Sequence, residues 1–167
     1  MNQKVKLMVF CLSCLAFISW DRATKNFAKE NLMNREPRSY FHDTFRLEYV
    51  ENTGAAMSLG DGLAKNASFW LLSILPLAFL LLLFAYTIRK AKETSLVKMF
   101  SVSLIFAGGA GNIIDRLLFD RHVADFMNIG FHNFRTGIFN FADVCVTAGL
   151  IGYLLFRKNR KDEKLTV

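Results

Sequence analysis

The stretch Ser68–Ile88, SFWLLSILPLAFLLLLFAYTI, carries no charged residue, and its reading decides the fold class. An uninterrupted apolar run close to the ~20 residues that cross a bilayer core reads as a transmembrane helix. Trp70 and Tyr86 stand near its ends, where amphipathic aromatic rings favour the interface. Pro76 lies inside it, at a position that would kink it. Working outward, three further apolar runs occur at about 5–20, 96–119 and 138–156. The first is short for a span, and Lys4 and Lys6 before it would suit the n-region of a signal peptide. No small-residue cleavage site follows it, so an uncleaved first helix is expected. The 167 residues therefore read as one integral membrane domain, mainly α, built as a bundle of four transmembrane helices.

Charge placement orients that bundle. The formal charge of +7 is concentrated before the first run, in the short gap between the second and third, and after the last. Together these segments hold eleven basic residues (Lys4, Lys6, Arg89, Lys90, Lys92, Lys98, Arg157, Lys158, Arg160, Lys161 and Lys164) against three acids. Such alternation follows the positive-inside rule, with both termini cytoplasmic. It points to membrane lipids with anionic headgroups, not to nucleic acid, as the partner of the excess charge. Cys11, Cys14 and Cys145 all fall in apolar runs and read as small packing residues, not a disulfide framework. His42, His122 and His132 are scattered without metal-site spacing, so neither metal nor cofactor is expected.

Residues of about 21–67 and 120–137 then lie outside. In the first of these loops Phe45, Leu47 and Tyr49 alternate with Arg46 and Glu48, the period of a half-buried strand, and Asn52-Thr53-Gly54 supplies a turn after it. Leu59–Leu63 reads as a short segment re-entering the interface. The same topology puts every unusual polar residue on one side. Asp21 ends helix one, and Asn52 is in the outer loop. Asn112, Asp115 and Arg116 occupy the outer part of helix three. Asp125 is in the loop beyond it, and Asn140 and Asp143 open helix four.

Carboxylates at a membrane boundary are costly, and pairs of them mark proton-handling sites. Asp125, between Ala124 and Phe126, is expected to point back toward the membrane, whereas Asp120 reads as a solvated loop residue. Asp143 shares a helix face with Asn140, which already offers a cap, so a charge there exceeds what capping requires. Two adjacent carboxylates cannot both ionise easily and share one proton, so one can activate water while the other polarises a carbonyl. That is aspartic peptidase chemistry, and the separation of Asp125 and Asp143 across one outer loop allows it. Gly108, Asn112 and Asp115 share a face of helix three, where the run Ala107–Gly111 permits close helix approach. Arg116 could hold a catalytic carboxylate or neutralise Asp115, and a structural ion-pair role for both is the favoured expectation.

The chain resembles lipoprotein signal peptidase (signal peptidase II). The resemblance is carried by five blocks in order: Asp21-Arg22-Ala23-Thr24-Lys25, Asn52-Thr53-Gly54-Ala55-Ala56, Gly111-Asn112-Ile113-Ile114-Asp115-Arg116, Val123-Ala124-Asp125-Phe126 and Phe139-Asn140-Phe141-Ala142-Asp143. It implies an aspartic endopeptidase of the bacterial inner membrane that removes the signal peptide from diacylglyceryl-modified prolipoproteins before the lipidated cysteine. A monomer is expected, since one chain carries a complete set of site residues. Asp125 and Asp143 would be the catalytic dyad. Asn52, Asn112, Arg116 and Asn140 would line the site, and Asp21, Lys25, Gly54, Gly108 and Asp115 would support it. The first outer loop would form a small extracytoplasmic β cradle and flap. Met57, Gly109 and a long interval from Arg116 to Asp125 depart from the family pattern. A proton-coupled transporter and a non-catalytic lipoprotein-binding relative are the competing readings. The first would favour internal repeats and midplane carboxylates, and the second would tolerate loss of an aspartate.

Overall fold

The computed structural model describes residues 2–54 and 64–156. The expected interfacial segment Leu59–Leu63, Met57 and the basic residues after Phe156 lie outside the described residues. Four helical stretches cross or line one bundle: α1 (Gln3–Leu32), α2 (Lys65–Lys90), α3 (Leu96–Leu118) and the shorter α4 (Phe141–Leu155). The first three are long and apolar enough to cross a membrane. α3 is central and packs against α1, α2 and α4. Phe10, Cys14, Met99 and Val102 form the core, with the Phe10 ring against Phe84 and Phe106. Side chains such as Leu15, Leu82 and Leu154 face outward and are exposed. An apolar surface of this extent needs lipid around it.

α1 runs well past the expected boundary near residue 20 and ends at Leu32. Charge after Trp20 reads as loop in one dimension. In three, Asp21 and Lys25 are buried and pair with each other, and Lys25 also reaches Asp115 on α3, so the helix continues past Trp20. Within α2, a π-helical turn over Trp70–Ile74 immediately precedes Pro76. Proline has no N–H and its ring crowds the carbonyl four residues back, which here falls inside that widened turn. At the other end of the bundle Lys6 Nζ donates to the carbonyls of Lys92 and Thr94, tying the α2–α3 connection to α1.

The outer segments pair into one antiparallel sheet of order β1-β2-β3-β4, with β1 Arg38–Tyr40, β2 Phe45–Asn52, β3 Val123–Phe131 and β4 Phe134–Arg135. The strand expected around Phe45–Tyr49 is β2. The sheet is not confined to the first outer loop, however, because β2 takes its long partner from the second. This also corrects the placement of Asp125, which sits within β3 opposite Val50 and not in a loop. A register shift between Leu47 and Val50 kinks β2 next to that position. Leu47, Tyr49, Phe126 and Met127 pack on Ala28 and Leu32, so the outward extension of α1 is what the sheet rests on. At the far tip Phe41, His42 and Asp43 all have left-handed backbones. The Asp43 carboxylate holds this turn by accepting from Ser39, Arg46 and Arg135. Its bonds to Arg46 and Ser39 keep its pKa far below the usual carboxylate range.

Candidate active site

Where the sheet meets the bundle, α1, α3, α4, β2 and β3 bring together all the sequence-predicted site residues in two adjoining groups. The first is an ion cluster. Lys25 Nζ lies 2.8 Å from Asp21 Oδ2 and 2.7 Å from Asp115 Oδ2, and all three side chains are buried. Arg22 completes it with a close contact to Asp115. Two acids face two bases, which is how buried charge is tolerated. Arg22 was not singled out from the sequence, and Arg116 was expected to be the partner of Asp115. Arg116 instead donates to the carbonyl of Gly54 at 2.5 Å, and more distantly to those of Thr53 and Arg121. Adjacent residues on a helix point about 100° apart, so Asp115 faces α1 while Arg116 faces the Asn52–Gly54 turn. That turn is closed by Gly54 N–H donating to Asn52 Oδ1 at 2.9 Å.

The second group contains the two remaining aspartates, and amides hold it. Asp125, 4% exposed, accepts at Oδ1 from Asn140 Nδ2 (2.7 Å) and at Oδ2 from Asn52 Nδ2 (2.9 Å). Asp143 accepts at Oδ1 from Asn112 Nδ2 (2.8 Å) and at Oδ2 from the Asn140 backbone N–H (3.0 Å). Asn140 therefore touches both carboxylates, one through its side chain and one through its main chain. Asn140 Oδ1 also accepts from Asp143 N–H at 3.1 Å, completing a reciprocal capping box at the start of α4. Asp143 thus caps the helix as well as facing Asn112, a double role that the sequence reading had treated as alternatives.

The two groups communicate through Asn112, whose Oδ1 accepts from Lys25 Nζ at 3.0 Å and from Asn140 Nδ2 at 3.1 Å. With its oxygen taken by donors, the Asn112 amide must direct its N–H toward Asp143. Asp21 Oδ1 in turn accepts from Ala142 N–H at 3.0 Å, satisfying one of the orphan donors of the first turn of α4. This proximity demands glycine on α3. A Cβ at Gly108 would stand 2.2 Å from the Ala142 carbonyl oxygen, and one at Gly111 would stand 2.6 Å from Asp21 Oδ2.

A cavity of about 320 Å³ opens over this second group, walled by Asn52, Asn112, Arg116, Asp125, Asn140 and Asp143 together with the Thr136–Phe139 segment. Burial pushes the Asp125 carboxyl up to about 6; the nearby Asp143 charge adds to the rise, while the Asn52 and Asn140 amides oppose it. A carboxyl whose pKa is raised toward neutrality, beside a second carboxylate and an open cavity, has the parts for acid–base work on a carbonyl. Asp120 stays outside the site. It is largely exposed and is 3.6 Å from the equally exposed Lys65.

Comparison with known proteins gives a consistent result. A family model described as signal peptidase (SPase) II matches residues 13–157. The lipoprotein signal peptidase of Clostridium tetani is 39% identical over 139 residues, covering 81% of this chain and 83% of that protein. That of Borrelia duttonii is 30% identical over 167 residues, covering 97% and 95%. In fold, the chain is similar to a bacterial membrane enzyme solved by the in meso method at 2.3 Å resolution. The TM-score is 0.76 with 24% identity, over 95% of this chain and 91% of that one.

Proposed function

The chain belongs to the signal peptidase II family, and from that premise we propose that Asp125 and Asp143 are the aspartic dyad with which it removes signal peptides from prolipoproteins. The observation that carries this reading is Asn140, one residue that fixes both carboxylates at the wall of the same cavity. The pair holds a single proton, and burial of Asp125 puts it there. Asp143 takes a proton from water as the water oxygen bonds to the scissile carbonyl carbon, while the Asp125 proton stabilises the developing oxyanion. Collapse of the tetrahedral intermediate breaks the C–N bond, and the proton taken from water passes to the leaving amine. Asn52 and Asn112 hold the two carboxylates in register. Arg116 keeps the Asn52–Gly54 turn against the cavity.

The substrate is a prolipoprotein whose cysteine carries diacylglycerol, cut immediately before that cysteine. Cavity and sheet sit together at one end of the bundle, where a lipidated residue held at the membrane surface would present its peptide bond. The chain is a single domain with four crossings of the bacterial inner membrane and both termini cytoplasmic, and α4 makes the fourth crossing. The site faces outward, and one chain supplies all of it, so a monomer suffices. Purified protein given a diacylglyceryl-modified prolipoprotein should release the signal peptide, read by mass spectrometry, and Asp125→Asn or Asp143→Asn should abolish release. Full-rate cleavage by either variant would defeat the dyad assignment. Equal cleavage of the unlipidated precursor would defeat the substrate assignment.

A further inference from the structure

A cavity of about 750 Å³ is at the opposite end of the bundle from the aspartates and plays no part in the chemistry above. It lies between α2 and α4 on the flank of α3, with Lys90, Glu93, Thr94, Ser95, Lys98 and Tyr153 around its mouth. Lys98 Nζ sits 5.6 Å from the centre of the Tyr153 ring and has no acidic partner among the described residues. Lys90 pairs with Glu93 at 3.0 Å, and both are substantially exposed. Ser95 caps α3, so the positive end of a 23-residue helix opens at the same place. Deeper, the wall becomes apolar with Met99 and Val102, and Leu155 and Phe156 continue it toward the exposed flank of α4.

From this arrangement we propose that the cavity is a binding site for the headgroup of an anionic phospholipid. Two lysines against one glutamate, a helix N-terminus and hydroxyl groups suit a phosphate. The apolar flank beside them suits acyl chains. Basic pockets between helices at the cytoplasmic boundary are where such headgroups bind. A basic peptide segment is disfavoured by the same net positive charge. The proposal needs only a membrane-embedded bundle and stands apart from the assignment of the dyad.

The test uses the full chain in phosphatidylcholine micelles, titrated with phosphatidylglycerol and followed by native mass spectrometry and by melting temperature. Phosphatidylglycerol should be retained over phosphatidylcholine and raise the melting temperature, and inorganic phosphate should not reproduce the rise. Lys90→Gln with Lys98→Gln should weaken retention on the order of tenfold or more, with cleavage in phosphatidylcholine micelles unchanged. Glu93→Gln, which removes the competing carboxylate, should strengthen it, and Lys65→Gln at the other end should leave it as it was. The proposal is overturned if the double variant retains the lipid as well as the parent, or if Glu93→Gln does not strengthen retention. Equal retention of phosphatidylcholine, or an equal rise with phosphate alone, would also overturn it.

Discussion

Four buried or half-buried aspartates gather at the end of the bundle that carries the sheet, and they are held in two different ways. Asp21 and Asp115 face Lys25 and Arg22. Among the described residues, the hydrogen bonds to Asp125 and Asp143 come from amides, those of Asn52, Asn112 and Asn140. A cation matches a buried carboxylate's charge, so the first pair is held as structure. A neutral amide satisfies the oxygens without supplying charge, and burial raises the Asp125 pKa in spite of it. On the proposed reading the reactive acids are those hydrogen-bonded by neutral amides, and the ion cluster serves them at one remove. It does so through Lys25, which orients Asn112, and Asp21, which pins the first turn of α4.

This contrast can be broken in order of expected effect. Asp125→Asn and Asp143→Asn keep the shape and lose the proton chemistry. Cleavage should fall by about 10⁴-fold or more with the melting temperature nearly unchanged, as measured by product release and thermal unfolding of the same samples. The mirror-image result is expected at the ion cluster. Asp115→Asn leaves Lys25 and Arg22 facing a neutral group, and the loss should be about 3–5 kcal/mol of stability in reversible unfolding from mixed micelles. Gly108→Ala should cost about 1–3 kcal/mol and lower activity, because α3 and α4 must separate to relieve a Cβ at 2.2 Å from the Ala142 oxygen. Asn52→Leu should be the mildest. The Asn52 amide lowers the Asp125 pKa from what burial alone would set, so its removal should move the alkaline limb of the pH–rate profile upward from about 6.

Part of this was legible in the chain and part was not, for reasons that lie in particular residues. The apolar runs located the bundle, and the dense polar blocks located Asp125 and Asp143, because uncompensated polarity in such a chain is rare. The continuation of α1 to Leu32 was not readable, since Arg22 and Lys25 find Asp115 only once α3 packs against α1, and Asp21 finds the Ala142 N–H only once α4 does. For the same reason the sequence neighbour Arg116 looked like the partner of Asp115, when the true partners come from α1. β3 was missed because its periodicity is disturbed by Asp125 and Asn128, buried polar groups that the amide network and the β4 hairpin satisfy. The double engagement of Asn140 depends on both side-chain and main-chain placement, and no spacing rule encodes it.

The most direct test of the central claim is infrared difference spectroscopy of the protonated carboxyl group during a pH titration of the purified protein. One carboxylic acid band should appear as pH falls through about 6 and be missing in Asp125→Asn. A band that persists in Asp125→Asn, or that disappears instead when Asp21 or Asp115 is replaced by asparagine, would contradict the claim.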